Sequence, residues 1–144
     1  MEFNELVEKS AHITANYKVT PEIYHSFQRC SNDYNPLHTD TAFAMRHGFP
    51  KCVMYGNILN AFLSHFVGML LPTRKVIIQS QDISFHRPVF LNDELELTAE
   101  PESVSEAVRS VVYKVAFRKI VGGGKSALIA KGHVQIGLLN ERNV

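Results

Sequence analysis

Residues 31–38 hold the densest group of side chains that could carry out chemistry. Asp33 and His38 lie five residues apart, with Asn35 and Pro36 between them. A turn through this proline-containing stretch could bring the carboxylate and the imidazole to one point. Such a pair can hold a water molecule and transfer its proton near neutral pH. Asp33 and His38 are therefore candidates for an acid–base pair.

The same residues also fit a purely structural role. Asp33 or Asn35 could form an Asx turn, in which the side chain accepts a hydrogen bond from the backbone two residues on. His38 would then be an ordinary surface residue. The local sequence alone leaves both interpretations open.

Gly56 is a second candidate, because it opens a long apolar stretch that we predict to be helical over residues 56–70. The first N–H groups of a helix lack internal partners and carry partial positive charge. A glycine lets a ligand approach the backbone closely, so the Gly56 N–H could stabilise negative charge on a carbonyl oxygen. The alternative is that Gly56 only permits close packing of the helix against a sheet.

Several other kinds of site are excluded by their missing motifs. The sequence contains no His-Glu-x-x-His or Cys-x-x-Cys pattern, so we expect no metal site. It also lacks Gly-x-Ser-x-Gly and Gly-x-Gly-x-x-Gly. Residues 122–126, Gly-Gly-Gly-Lys-Ser, end like a phosphate-binding loop but lack its earlier glycine. They predict a hairpin turn.

Composition and charge indicate an ordinary globular protein. The chain has 144 residues, of which 45% are hydrophobic and 20% charged, so we predict one domain over residues 1–144. A net charge of +1 does not favour nucleic-acid binding. The longest apolar run is interrupted by Asn60, Ser64 and His65, which argues against a membrane span. The acidic, polar amino terminus does not resemble a signal peptide, so we expect a cytoplasmic protein.

The first half of the chain mixes one strand with helices. Alternation and β-branched residues predict a strand at residues 13–20. Thr20 and Pro21 predict the start of a helix over residues 21–29, and a short helix follows at residues 41–46. On the helix over residues 56–70, a polar stripe is formed by Asn57, Asn60 and Ser64. We expect this stripe to face a substrate channel or a partner subunit, because buried polar atoms need partners.

The second half changes to a period of two. Strands are predicted at residues 76–85, 93–100, 108–120 and 126–139. Apolar residues on alternate positions are expected to share the buried face, namely Leu95, Leu97, Ala99, Val111, Tyr113, Val115, Phe117, Leu128, Ala130, Val134, Ile136 and Leu138. Short connections between such strands favour an antiparallel sheet with one solvated face. The apolar face of this sheet must pack against another element, and the apolar helix over residues 56–70 is the candidate. This arrangement predicts an α+β fold.

Residues 31–40, Ser-Asn-Asp-Tyr-Asn-Pro-Leu-His-Thr-Asp, also carry a family resemblance. They resemble the motif Ser-Gly-Asp-x-Asn-Pro-Leu-His-x-Asp of the MaoC-like, R-specific enoyl-CoA hydratases in the hotdog superfamily. The likeness continues through Gly48-Phe49, Gly56, Phe85, residues 87–89, Asp93 and Leu95, and covers about residues 10–138.

The resemblance implies a hotdog fold, in which a curved antiparallel sheet wraps a long central helix. It implies a homodimer or a dimer of dimers, with active sites near the subunit interface. The implied reaction is hydration of an enoyl thioester to a 3-hydroxyacyl thioester, or the reverse. Coenzyme A or phosphopantetheine would be part of the acyl thioester substrate, with no separate cofactor, no metal, no nucleic acid and no membrane.

The same resemblance assigns roles to individual residues. Asp33 and His38 would be the catalytic pair, and the Gly56 N–H would bind the thioester carbonyl. Asn35 would orient the catalytic loop, and Tyr55 and Asn57, which flank Gly56, would help to bind the substrate.

Three residues depart from the family pattern. Asn32 and Asn92 stand where glycine is usual, and asparagine tolerates a left-handed backbone better than most residues. Tyr55 stands where many members have histidine, so it is expected to alter the pocket beside Gly56 and the substrate that fits there.

Two other functions fit a hotdog protein. A thioesterase would attack the carbonyl carbon, but thioesterases of this superfamily generally carry their carboxylate on the central helix. No Asp or Glu occurs between Asn57 and Leu71. A non-catalytic acyl-thioester binding module is the third possibility, and the presence of both Asp33 and His38 argues against it.

Overall fold

The computed structural model describes residues 1–124 and 126–142. The helices are α1 (Phe3–Lys9), α2 (Pro21–Ser31), α3 (Pro36–Thr39), α4 (Thr41–Arg46) and α5 (Ile58–His65), which continues as a π-helical turn over Phe66–Leu70. The strands are β1 (Ile13–Lys18), β2 (Val76–Phe85), β3 (Glu94–Ser105), β4 (Ser110–Ile120) and β5 (Ser126–Leu138). Within the predicted domain, Lys125 of the glycine turn and the last two residues lie outside the described residues.

All five strands form one antiparallel sheet in the order β1-β3-β4-β5-β2. The predicted alternation is confirmed in β3, where Leu95, Leu97 and Ala99 are fully buried. Their neighbours in β3 are exposed or half-buried. The sheet therefore has one apolar and one solvated face, and β1 and β2 are its edge strands.

Helix α5 lies against the apolar face of the sheet. The Phe62 ring packs 6.4 Å from that of Phe117, and the Phe66 ring meets that of Tyr113 edge to face at 5.5 Å. The helical segment ends at Leu71, whose backbone is extended, because the following Pro72 disfavours helical geometry in the residue before it. The predicted α+β hotdog architecture is confirmed.

The polar stripe of α5 lies outside the core. Asn57 and Ser64 are exposed and Asn60 is half-buried. The Asn60 amide donates to Asn57 Oδ1 at 2.8 Å, and Gln81 of β2 donates to Asn60 Oδ1. These polar atoms therefore have partners and remain accessible from the side of the edge strand β2.

A bulge in β5 overturns one predicted side-chain direction. Phe117 pairs with Ala130 and Arg118 pairs with Leu128, so Ile129 is an extra residue. Leu128 therefore faces away from the core, beside Arg118, and Ile129 is buried in its place. The prediction for Leu128 was wrong because a bulge reverses the alternation that periodicity assumes. The Ile129 carbonyl accepts hydrogen bonds from the N–H groups of His86 and Arg87, so the bulge also directs the chain that leaves β2.

Two short helices were not predicted from the sequence. Helix α1 buries Phe3 and Leu6 at one end of the core, and α3 begins at Pro36 directly after the turn-rich segment. Within the part of the chain that the structure describes, no helix has the length and apolar character needed to cross a membrane.

Gly132 should be the glycine most sensitive to substitution in the sheet. A Cβ atom at this position would lie 2.0 Å from the carbonyl oxygen of Asp82, which is backbone and has little freedom to move. We expect Gly132→Ala to lower the free energy of unfolding by at least 1–3 kcal/mol, roughly the usual cost of overpacking. Urea titration at fixed protein concentration measures this loss.

Gly122→Ala is the matched control, because a Cβ at Gly122 meets nothing within 4 Å. Equal unfolding midpoints for the two variants would contradict the close approach of β2 and β5 at Gly132.

Candidate active site

The loop between α2 and α3 is built from consecutive side-chain-to-backbone hydrogen bonds. Asn32 ends α2 in the left-handed conformation, with φ 55° and ψ 30°, as expected for a residue that stands in place of glycine. Asp33 Oδ1 accepts from the Asn35 N–H at 2.9 Å, and Asn35 Oδ1 accepts from the Leu37 N–H at 2.9 Å. Both Asx turns therefore form, and Asn35 caps α3.

These turns direct the second carboxylate oxygen of Asp33 toward His38. Asp33 Oδ2 lies 3.9 Å from His38 Nε2. The separation is too long for a direct hydrogen bond, but it allows one water oxygen to bond to both groups. The His38 side chain is only 16% exposed, whereas Asp33 is 43% exposed. The predicted pair is thus brought together, and the Asx turns are the means by which this happens.

The other ring nitrogen of His38 is held by the chain that leads into α5. His38 Nδ1 lies 2.6 Å from the carbonyl oxygen of Val53. A carbonyl oxygen can only accept, so Nδ1 carries a hydrogen and donates it. In the neutral imidazole, Nε2 then has a free lone pair directed at the space beside Asp33.

Tyr55 lies beneath the α2–α3 loop and is only 3% exposed. Its hydroxyl donates to the Asp33 carbonyl oxygen, and its ring packs 4.2 Å from the imidazole of His38. Burial raises the pKa of Tyr55 above its ordinary value, so the hydroxyl stays protonated at neutral pH. We expected Tyr55 to alter the wall of the pocket beside Gly56. Its side chain instead lies on the core side of the α2–α3 loop, where it bonds to the Asp33 backbone, and it is not among the residues that line the cavity beside His38.

Two residues of α2, Tyr24 and Gln28, complete the support of this loop. The Tyr24 hydroxyl donates to the His38 carbonyl oxygen at 2.7 Å, and Gln28 Nε2 contacts the hydroxyls of Tyr24 and Tyr55. Sequence reasoning missed both residues. Their i, i+4 spacing on a predicted helix was the available signal, since it places both on one side of α2.

A cavity of about 330 Å³ opens beside His38. Its wall includes His38 and Gly56 together with Phe49, Val53, Met54, Phe85, His86, Arg87, Pro88 and Val89. A Cβ at Gly56 would lie 3.1 Å from the Phe85 ring, so a larger residue would press this ring of β2 outward. Close packing and access to the backbone are therefore both served by Gly56.

The N–H groups of Gly56 and Asn57 are available to a ligand. Hydrogen bonding into the helix starts with the Ile58 N–H, which donates to the Tyr55 carbonyl oxygen, and the Leu59 N–H, which donates to Gly56. Among the described residues, neither the Gly56 nor the Asn57 N–H has an acceptor. Because Gly56 also lines the cavity, its N–H and the helix dipole can stabilise an oxyanion there.

The arrangement does not resemble a metal centre. In the ranges 1–124 and 126–142, no three His, Cys, Asp or Glu side chains are grouped so that they could hold a metal ion. The groups that the site itself offers are a carboxylate, an imidazole and a backbone N–H.

Comparison with known proteins gives consistent matches. The model of the MaoC like domain matches residues 2–122. The (R)-specific enoyl-CoA hydratase of Aeromonas caviae is 32% identical over 111 residues, which span 77% of this chain and 81% of that protein. The mitochondrial 3-hydroxyacyl-acyl-carrier-protein dehydratase FERN of Solanum lycopersicum is 24% identical over 98 residues, 68% of this chain and 58% of that protein. The solved structure of an (R)-hydratase from A. caviae superposes with a TM-score of 0.78 at 28% identity, covering 88% of this chain and 93% of that one.

The hydrogen bond to Val53 predicts the tautomer of His38. At a pH where the imidazole is neutral, we expect the hydrogen on Nδ1 and a free lone pair on Nε2, because the Val53 carbonyl accepts from Nδ1. Long-range ¹H–¹⁵N correlation spectra of the imidazole ring distinguish the two tautomers. Spectra of His38→Gln identify the signals of this residue, and a hydrogen on Nε2 alone would contradict the arrangement.

Proposed function

Because this chain belongs to the MaoC-like domain family, we propose that it is an (R)-specific enoyl-thioester hydratase, or a 3-hydroxyacyl-thioester dehydratase in the reverse direction. The observation that carries the proposal is the 3.9 Å separation of Asp33 Oδ2 and His38 Nε2, where His38 lines the same cavity as Gly56. The relative from A. caviae named above supports the same reaction class. The substrate is proposed to carry its coenzyme A or phosphopantetheine arm as part of the thioester, without a separate cofactor.

In the hydration direction, the pair activates one water molecule. Asp33 accepts a proton from this water while the water oxygen forms a bond to Cβ of the enoyl thioester. The double-bond electrons move toward the thioester carbonyl, where an enolate oxygen develops. The pair then returns one proton to Cα, so that H and OH are added across the double bond and both side chains recover their starting states.

The Gly56 N–H stabilises the enolate oxygen. It lies in the turn that leads into α5, two residues before Ile58, where the helix dipole adds to the positive charge of the N–H group. Removing one donor of this kind costs roughly 2.7–4 kcal/mol in other enzymes, so the backbone donor is expected to matter as much as the base. We propose that Asn57, with its N–H next in the chain, assists at the same end of the helix.

The reaction class can be tested with crotonyl-CoA. Loss of the enoyl absorbance without release of free thiol supports hydration, and chiral analysis of the product identifies the R or S alcohol. Release of free thiol with an intact acyl chain would mean a thioesterase. Binding without turnover, over a range of chain lengths and with acyl-carrier-protein substrates, would mean a binding module.

Substitution of the pair is expected to reduce hydration strongly. Asp33→Asn keeps the Oδ1 atom that accepts from Asn35, so the Asx turn is preserved while the base is lost. We expect a decrease in kcat of roughly 10²–10⁴-fold, the usual contribution of general acid–base catalysis, and a similar decrease for His38→Ala. The double variant should be little worse than either single one, because both groups act on one water.

Asn32→Gly is the control for these measurements. Asn32 has positive φ, which glycine adopts easily, so this variant should keep nearly full activity. Circular dichroism checks that each variant is folded. A folded Asp33→Asn protein with full activity on its best substrate would refute the assignment.

We also propose that the protein is a homodimer that pairs through β2. This edge strand has ten residues, and its apolar side chains Ile77, Ile78 and Phe85 are exposed, as is Met69 of the neighbouring helical turn. An edge strand with exposed apolar residues favours pairing with another strand. A second copy of the same strand satisfies this edge, and such dimers can associate further into a dimer of dimers.

A charge on the edge strand should weaken this dimer. Light scattering of the wild-type protein at micromolar concentration is expected to give at least twice the chain mass. Ile77→Lys should shift the mass toward one chain, because the edge would carry two like charges across the interface. Val108→Lys, at a position that is 69% exposed in the β3–β4 turn, is the matched control. One chain mass for the wild type would contradict the dimer.

A further inference from the structure

Two tyrosine hydroxyls hold the backbone of the two residues of the Asp33–His38 pair. The Tyr55 hydroxyl donates to the carbonyl oxygen of Asp33, and the Tyr24 hydroxyl donates to that of His38 at 2.7 Å. The same two hydroxyls accept from Gln28 Nε2, at distances of 3.3 Å for Tyr24 and 3.2 Å for Tyr55. One side-chain network thus reaches both members of the pair from the core side.

Every hydrogen in this network has one possible direction. The Gln28 amide nitrogen carries two hydrogens and gives one to each tyrosine hydroxyl. Each hydroxyl has a single hydrogen, which goes to a carbonyl oxygen that can only accept. Burial raises the pKa of both tyrosines, so each keeps that hydrogen at neutral pH. Because each of these hydrogens has a single acceptor, the donors have no alternative pattern at equal energy, and such a network is rigid.

We propose that Tyr24, Gln28 and Tyr55 act as a positioning clamp that sets the separation between Asp33 and His38, a role that rests on the proposed function of that pair. Tyr24 and Gln28 lie on α2 and Tyr55 lies in the segment that leads into α5, whereas Asp33 lies in the α2–α3 loop and His38 lies in α3. Tyr55 is buried in the core, whereas Tyr24 and Gln28 are half-buried, so the clamp ties the exposed loop to the core through Tyr55. None of its members is a catalytic residue, because the two hydroxyls bond to backbone carbonyls of the pair and Gln28 acts through those hydroxyls.

In this proposal, the packing of the aromatic rings is not sufficient to set the separation between Asp33 and His38. Tyr55 packs against the imidazole of His38 at 4.2 Å, against Phe27 at 5.0 Å and against Tyr24 at 5.6 Å. Phenylalanine at position 55 would keep these ring contacts and remove only the hydroxyl. Tyr55→Phe and Tyr24→Phe therefore separate positioning by hydrogen bonds from packing.

The first test compares kcat and KM of these variants on the best enoyl thioester. We expect Tyr55→Phe and Tyr24→Phe each to lower kcat by about 10- to 100-fold with little change in KM, since small displacements of catalytic groups have effects on this order. Tyr113→Phe is the control, because it also removes a buried tyrosine hydroxyl. That hydroxyl lies 2.6 Å from Ser10 Oγ and makes no contact with the Asp33–His38 pair. This variant should lose stability and keep kcat.

The second test replaces the hydrogen-bond donor at position 28 by an acceptor. In Gln28→Glu, the carboxylate can only accept, so both hydroxyls turn toward it and both backbone carbonyls lose their donors. Gln28→Met removes the amide without adding an acceptor, and the hydroxyls can still donate to the carbonyls. We expect kcat to fall further in Gln28→Glu than in Gln28→Met. Equal values for these two variants, or unchanged kcat in both tyrosine variants, would overturn the clamp.

A measurement that does not depend on turnover distinguishes failure of the proposed hydratase function from failure of the proposed clamp. Backbone amide signals of Asp33 and His38 should move in Tyr55→Phe and Tyr24→Phe and stay in place in Tyr113→Phe. If the wild-type protein hydrates no enoyl thioester, the proposed function fails, and these signals still decide whether the hydroxyls hold the loop. If hydration is strong but the signals and kcat of both tyrosine variants equal those of the wild type, only the clamp fails.

Discussion

Helix α5 is apolar on most of its circumference, and its burial against the sheet fixes the five residues that lead into it. Residues 53–57 provide the Val53 carbonyl that holds the His38 ring and the Tyr55 hydroxyl that holds Asp33. They also provide the Gly56 N–H, which has no acceptor among residues 1–124 and 126–142. The hydrophobic contacts of one helix thus determine where three functional contacts lie. Their precision follows from the core, where packing leaves little freedom for the backbone to move.

Structural and catalytic interpretations of the α2–α3 loop turn out to describe the same contacts. The Asx turn at Asp33 uses Oδ1, which leaves Oδ2 directed at His38. The same holds for Gly56, whose missing side chain admits the Phe85 ring and keeps the helix start accessible. A carboxylate has two oxygens, so one can bond to the backbone while the other faces the reaction site. A glycine has no side chain, so a neighbouring ring can pack against it while its backbone stays accessible. One residue can therefore serve the fold and the chemistry together.

The fold could be predicted from the sequence because it depends on local patterns: alternation located the strands and the apolar stretch located α5. The spacing within residues 31–38 made Asp33 and His38 candidates, and the family resemblance of residues 31–40 assigned them their roles. The contacts that were missed join residues far apart in sequence: Tyr24 reaches His38 across 14 positions and Tyr55 reaches Asp33 across 22. Periodicity assigns a buried face to such residues but carries no information about which backbone oxygen they meet. The bulge at Ile129 was missed for a related reason, since a single inserted residue leaves no compositional signal.

The Asp33–His38 pair and the Gly56 N–H are expected to contribute similar amounts to the proposed catalysis, and both depend on residues 53–57. An acid–base pair worth 10²–10⁴-fold lowers the barrier by about 3–5 kcal/mol, and one oxyanion donor contributes roughly 3–4 kcal/mol. Neither contribution dominates, so the site loses most of its proposed activity when either geometry fails. In this chain the geometries are not independent, because Val53 and Tyr55 hold the pair and Gly56 follows directly after them. A small shift of residues 53–57 would therefore affect the activation of water and the stabilisation of the enolate in the same step, which makes the start of α5 the most sensitive part of the proposed mechanism.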